Sequence, residues 1–146
     1  MNSETIRSNI RYNEDLLDEY SAEKKAITEA ITELETLKQK YSTLQDKFGE
    51  RQEKRKASLL TFSGTTVSNK ITSAYYTGMN DMLTDSTFVN SYDGLSAAKQ
   101  KIDAKIQERQ QALDDCEANI AYRNERVSYW ETQLRLCLAE EAKEKD

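Results

Sequence analysis

From Ile10 onward the apolar residues of the first sixty positions fall in steps of three and four: Leu17, Tyr20, Ile27, Ile31, Leu34, then Leu37, Tyr41, Leu44 and Phe48. Asn13 and Lys24 stand where the spacing calls for an apolar side chain, and the one irregularity is a step of three followed by a second three at Leu34 to Leu37. Alternation of this kind describes a helix that shows a narrow stripe to a partner helix with left-handed packing. Glu and Lys fill the remaining positions, where they supply helix propensity and pairs four apart such as Glu50 with Lys54.

A second run with the same rhythm follows "SYDG". Its stripe is Leu95, Ala98, Ile102, Ile106, Leu113, Cys116, Ile120, Val127, Trp130, Leu134 and Cys137, with Arg109 and Arg123 in two positions that ought to be apolar. An arginine there either lays its methylene stem along the stripe with its guanidinium in water, pairs with a carboxylate of the facing helix, or makes a polar contact that sets register. Between the two runs, residues 70–84 form a shorter amphipathic piece with Ile71, Ala74, Tyr75, Met79, Met82 and Leu83 on one broad side.

These patterns predict an all-α fold: an elongated, coiled-coil-like antiparallel helical hairpin with a short middle helix near the bend. Each long stripe is too narrow to bury itself, so the two are expected to cover each other. The predicted elements of this single domain are a long helix over about 4–60, a bend over 61–68, a short helix over about 69–84, a link over 85–94 and a long helix over about 95–142. Gly49 lies inside the first pattern, which either runs on to about Leu60 or breaks near that glycine. Asp85 or Ser86 is read as the cap of a short turn in the link, and Ser91 or Asp93 as the cap of the last helix. The first helix is then the longer of the two, so its surplus end or the outer faces of the pair are expected to be frayed or covered by another chain.

Composition agrees with long helices. The 146 residues include no proline and four glycines, 32% are charged and 37% hydrophobic, with a mean hydropathy of −0.85. That is too polar for a thick core and too regularly spaced in Leu, Ile and Tyr for disorder. The net charge of −5 comes without a sustained basic block, which argues against nucleic acid or an anionic membrane as partner. No apolar run approaches the roughly 20 residues needed to span a bilayer, and the first twenty residues are polar throughout, so no membrane span and no signal-peptide export are expected.

Cys116 and Cys137 lie on one predicted helix, roughly 30 Å apart at 1.5 Å per residue, and cannot bridge within it. They read as small hydrophobes, with an intermolecular disulfide across a dimer as the alternative. There is no histidine, the four glycines are isolated from one another, and carboxylates such as Asp114 and Asp115 sit on a helix without a pocket. No catalytic, cofactor-binding or metal-ligating set is therefore assigned, and the chain is read as non-enzymatic.

Function then has to be made from surface shape. In "LLTFSGTTVSNK" the hydroxyls of Thr61 and Ser63 and the following Gly64 interrupt helix propensity, Gly64 can take positive φ, and Thr65, Thr66 and Ser68 offer caps for the next helix. Phe62 is placed to plug the open end of the core, with Val67 and Ile71 behind it. Aromatic and flexible apolar side chains beyond the two stripes are candidate partner contacts: Tyr75, Tyr76, Met79, Phe88 and Tyr92, with Tyr12 and Tyr20 as further aromatics. Tyr75 and Tyr76 stand about 100° apart on a helix, so only one can face a core stripe squarely.

A long helix, a bend written Thr61, Phe62, Ser63, Gly64, and a second amphipathic helix together resemble the WXG100-type proteins of bacterial type VII (ESX) secretion. The layout is closer to the longer helical accessory proteins of DUF5082 type found beside LXG-domain toxins, whose Thr-Trp-x-Gly-like bend would fall at Thr61–Gly64 and whose later coil would fall at "KIDAKIQERQQALDDCEANI". Phe62 departs from that tryptophan, keeping the plug and losing the indole N–H. The resemblance implies a small partner protein that binds the helical targeting domain of an LXG-domain toxin, with a second small helical accessory protein as a further partner and no enzymatic activity. It implies a cytoplasmic location, with export beside the partner by a signal-peptide-independent route left open. A clear Tyr-x-x-x-Asp/Glu export signal is missing, since Tyr122 is followed by Arg126 and Tyr129 by Gln133 at the fourth position. The alternatives are a homo-oligomeric coiled-coil spacer, for which a stable homodimer or tetramer is expected, and a cargo adaptor or chaperone of another secretion or phage-related system.

Overall fold

The computed structural model describes the backbone of residues 1–64, 70–84 and 86–146, and the side chains of residues 1–60, 73–82 and 88–146. It contains three helices, α1 (Ser3–Gly64), α2 (Lys70–Thr84) and α3 (Ser86–Glu144), and no strand among the described residues. The fold is an all-α antiparallel hairpin of α1 and α3 with α2 as the short middle helix. Asn2 starts α1: its side-chain oxygen accepts from the Thr5 backbone N–H at 2.9 Å and from the Thr5 hydroxyl at 2.8 Å, an N-cap that satisfies one of the orphan donors of the first turn.

The contacts gather into two compact units, Met1–Glu33 with Ile106–Asp146, and Leu34–Lys105. In the first, antiparallel pairing is recorded in side-chain contacts that step down α1 and up α3. Ser3 meets Glu141, Asn13 meets Arg123 and the carbonyl of Tyr20 meets Cys116. Ile6, Ile27 and Cys116 are buried between the helices. Asn13, one of the polar intruders in the apolar pattern, is 4% exposed. It donates to the carbonyl of Asn9 at 2.7 Å and accepts from the Arg123 guanidinium at 3.1 Å. Two seam positions that break the apolar rule are thus each other's partner, and Arg123 takes the register-setting role. Lys24, the other intruder on α1, stays exposed and pairs with Glu117 at 3.4 Å.

The Cys116 thiol donates to the Tyr20 carbonyl at 3.1 Å. Burial pushes its pKa above the ordinary 9.0, and the nearby Glu23 carboxylate adds to the rise. Both cysteines are free thiols. With Cys116 at 2% exposure, the reading of that residue as a small core hydrophobe fits and a disulfide from it to another chain does not.

In the second unit the stripe of α1 differs from the sequence reading. The step of three from Leu34 to Leu37 does not occur in the packing: the strict alternation continues through Leu34, Lys38, Tyr41, Gln45, Phe48 and Gln52, all buried or half-buried, passes the exposed Arg55 and meets the buried Leu59. Leu37 and Leu44 fall outside it, 42% and 53% exposed. The physical reason lies in the partner. α3 offers polar groups at this level: Gln45 donates to the Tyr92 carbonyl at 3.1 Å and to the Ser96 hydroxyl at 2.6 Å, and Lys38 reaches Asp103 at 2.6 Å. With these contacts made, a uniform helix need not overwind to bring two leucines inward.

The link expected over 85–94 is, from Ser86, part of α3, and Ser91 and Asp93 lie inside that helix rather than at its cap. Phe88 stacks on Phe48 with centroids 4.7 Å apart, and Tyr92 stacks on Phe88 at 6.0 Å. Aromatic stacking one turn apart outweighs the weak helix propensity of Ser, Asn and Gly in that stretch. With 59 residues, α3 nearly matches the 62 of α1, so the surplus length expected of the first helix disappears. α1 runs unbroken through Gly49, and the bend expected from residue 61 begins no earlier than the end of α1 at Gly64. Thr61 to Gly64 are helical in backbone because they prolong a ladder already propagating over many turns, where each further residue adds a hydrogen bond at no nucleation cost. The Phe62 plug, Val67 and Ile71 behind it, and the caps at Thr65, Thr66, Ser68 and Asp85 lie outside the described residues.

Candidate partner-binding cleft

Within the unit Leu34–Lys105, three segments converge on one cleft. α1 supplies Phe48, Gln52 and Arg55, α2 supplies Met79 and Met82, and α3 supplies Phe88 and Ser91. The spacing is helical on each element. Phe48, Gln52 and Arg55 follow at four and three along α1, Met79 and Met82 at three along α2, and Phe88 and Ser91 at three along α3.

Two stacked rings form one wall. Phe48 and Phe88 lie 20° from parallel, and Tyr92 extends the stack, its own ring 37% exposed. Two methionines of α2 also line the cleft, Met79 half-buried and Met82 69% exposed. An exposed unbranched thioether is adaptable apolar surface, which conforms to a guest more readily than a branched side chain does.

Gln52 is the unusual member. It is 6% exposed and, among the described residues, its side-chain amide nitrogen has no hydrogen-bond partner. A buried amide donor left unpaired costs on the order of 1–3 kcal/mol. Two helical turns away, the Gln45 side-chain amide nitrogen is in use, donating to both the Tyr92 carbonyl and the Ser96 hydroxyl. Among the described residues that line the cleft, Arg55 is the one charged side chain. The arrangement suits an apolar group that carries a hydrogen-bond acceptor.

Of the residues expected as partner contacts, Met79 and Phe88 line the cleft and Tyr92 adjoins it through the ring stack. Tyr75 is 53% exposed and stands on the same side of α2 as Met79 and Met82, four and seven residues earlier. Tyr76 is half-buried, so the two neighbouring tyrosines divide as their 100° separation requires. Gln52 and Arg55 were missed as site residues. The signal for Gln52 was present, since an unbroken three-four count from Phe48 lands on it, but a polar residue on a stripe reads as an interruption rather than a feature. Tyr12 and Tyr20 belong to the other unit, where Tyr12 lies beneath the Arg123 guanidinium at 5.8 Å and Tyr20 uses its carbonyl on Cys116. That unit also carries an aromatic group not anticipated as a contact surface: Tyr129 and Trp130 meet edge to face at 5.0 Å with Arg126 over both rings.

Among the described residues no group of three His, Cys, Asp or Glu side chains could hold a metal ion, and no helix is long and apolar enough to cross a membrane. The class that fold and site define is a helical hairpin with an apolar cleft beside its short middle helix. Comparison with protein-family models, curated proteins and solved structures finds no match.

Proposed function

We propose that the chain is a non-enzymatic partner protein that receives a helical segment of another polypeptide in the cleft between α1, α2 and α3. The observation that carries this reading is the unpaired amide of Gln52, buried at the floor of a cleft walled by stacked phenylalanines and lined by methionines. Departures of that kind gather at functional sites, where a ligand can complete the hydrogen bond. A partner helix would set one apolar side chain between Met82 and Phe88, and an acceptor on that side chain or its neighbour would take the Gln52 hydrogen bond.

The resemblance of layout, with Thr61, Phe62, Ser63 and Gly64 at the end of the first long helix, makes the helical targeting domain of an LXG-type toxin the partner we propose, and support of its type VII delivery the role. The test is co-expression with the neighbouring gene product and mass measurement of the isolated complex. A one-to-one complex that is lost in Met82→Asp supports the reading, because Met82 is too exposed for the substitution to unfold the hairpin. A homodimer that ignores every neighbour supports the coiled-coil spacer instead.

Gln52→Leu separates binding from folding. Removing the unpaired donor should raise the melting temperature, by the equivalent of roughly 1 kcal/mol, while weakening the partner complex. Loss of both stability and binding would mean that Gln52 is an ordinary structural contact.

A further inference from the structure

The exposed side of α1 in the unit Leu34–Lys105 carries a second surface, separate from the cleft residues. Leu37 and Leu44 are 42% and 53% exposed and stand seven residues apart, about 10 Å along one side of the helix. A shallow groove runs beside them, lined by Thr36, Gln39, Lys40, Thr43, Leu44 and Lys47. Its charged members are both lysines. Arg51 and Lys54 continue the same side toward the C-terminal end, also exposed. None of these four cations makes an ion pair among the described residues, including Lys54, which stands four residues beyond Glu50. In contrast, Lys38, two residues before Lys40 and turned toward α3, is paired with Asp103. In a chain of net charge −5, this is a local reversal of sign laid over two unused leucines.

We infer that this face of α1 docks an acidic amphipathic helix of another polypeptide, its apolar residues packed on Leu37 and Leu44 and its carboxylates paired with Lys40, Lys47 and Arg51. Leucines seven apart, with a lysine three residues after each to one side and Arg51 next on the leucine line, set charge beside an apolar seam as in a coiled-coil helix, the seam giving contact and the charge giving identity. A second copy of this chain is disfavoured as occupant. A two-fold contact through the same face would bring Lys40 and Lys47 of each copy against the same residues of the other. The groove shares no lining residue with the Gln52 cleft.

A labelled synthetic peptide of about three heptads, with Leu at the seam positions and Glu at the flanking ones, is the probe, and its Lys-for-Glu counterpart the control. Anisotropy titration of the full chain should show binding of the acidic peptide and not of the basic one. Leu37→Ser with Leu44→Ser, and separately Lys40→Glu with Lys47→Glu, should each weaken it by about tenfold or more at low salt. The charge-reversed variant should in turn gain affinity for the basic peptide. All four side chains are exposed, so circular dichroism should report unchanged helix; if a double variant fails to fold, Lys47→Glu alone carries the test. Equal binding of the two peptides, or indifference of the acidic peptide to both pairs, overturns the inference. So does binding to phosphatidylglycerol vesicles without peptide binding, or a dimer of the chain alone that Leu37→Ser with Leu44→Ser abolishes.

Discussion

Single residues show where the hairpin departs from an ideal helix pair and what that departure costs. Gly49 sits within α1, and a methyl group added there would meet the Tyr92 ring at 3.8 Å, an ordinary contact. Gly49→Ala should therefore stabilise the chain by about 1 kcal/mol, the helix-propensity difference, as read by thermal or denaturant unfolding. Destabilisation would mean that the approach of Tyr92 demands the bare backbone. Cys116 gives a pH prediction with a fixed sign. Its folded pKa lies above 9.0, so the unfolded thiol ionises first and the unfolded state gains as pH rises. The stability that the buried, protonated thiol contributes is whole below 9.0 and declines as pH climbs through the folded value. Between about pH 8 and pH 10 the wild-type chain should lose more melting temperature than Cys116→Ala does. Parallel loss in the two proteins would contradict the assignment.

At the scale of elements, the register of α1 on α3 is held by side chains that the apolar count treated as faults. Asn13 with Arg123, and Gln45 with Tyr92 and Ser96, fix which turn faces which. A double-mutant cycle on Asn13→Ala and Arg123→Ala should return a coupling of roughly 0.5–1.5 kcal/mol, well above that of a solvated pair such as Lys24 with Glu117. Additive losses would show that Arg123 only lays its stem along the stripe. The hairpin itself was legible because two runs of Leu and Ile in steps of three and four admit few other solutions. Two errors of reading have one cause. Counting leucines put Leu37 and Leu44 inside, and counting Ser, Asn and Gly put 85–94 in a link. In both places contacts with the facing helix decide, through Gln45 on α3 and through Phe88 on Phe48, and local composition carries no trace of such contacts. The site was half legible for the same reason: Met79, Phe88 and Tyr92 stand out as surplus apolar groups, whereas Gln52 becomes notable only once its neighbours are known to leave it unpaired.

For the molecule as a whole, the account makes function a matter of surfaces left over after α1 and α3 have covered each other: a cleft with an unpaired amide, and a leucine-lysine face of opposite sign to the chain's net charge. The cleft is the central claim. Hydrogen exchange of the chain alone and in complex with the neighbouring gene product tests it most directly, because added protection reports where a guest helix sits. The account predicts protection concentrated in the turns that carry Phe48 to Arg55, Met79 to Met82 and Phe88 to Tyr92, and its loss in Met82→Asp. A stable complex that leaves those three segments exchanging as they do in the free chain would contradict it.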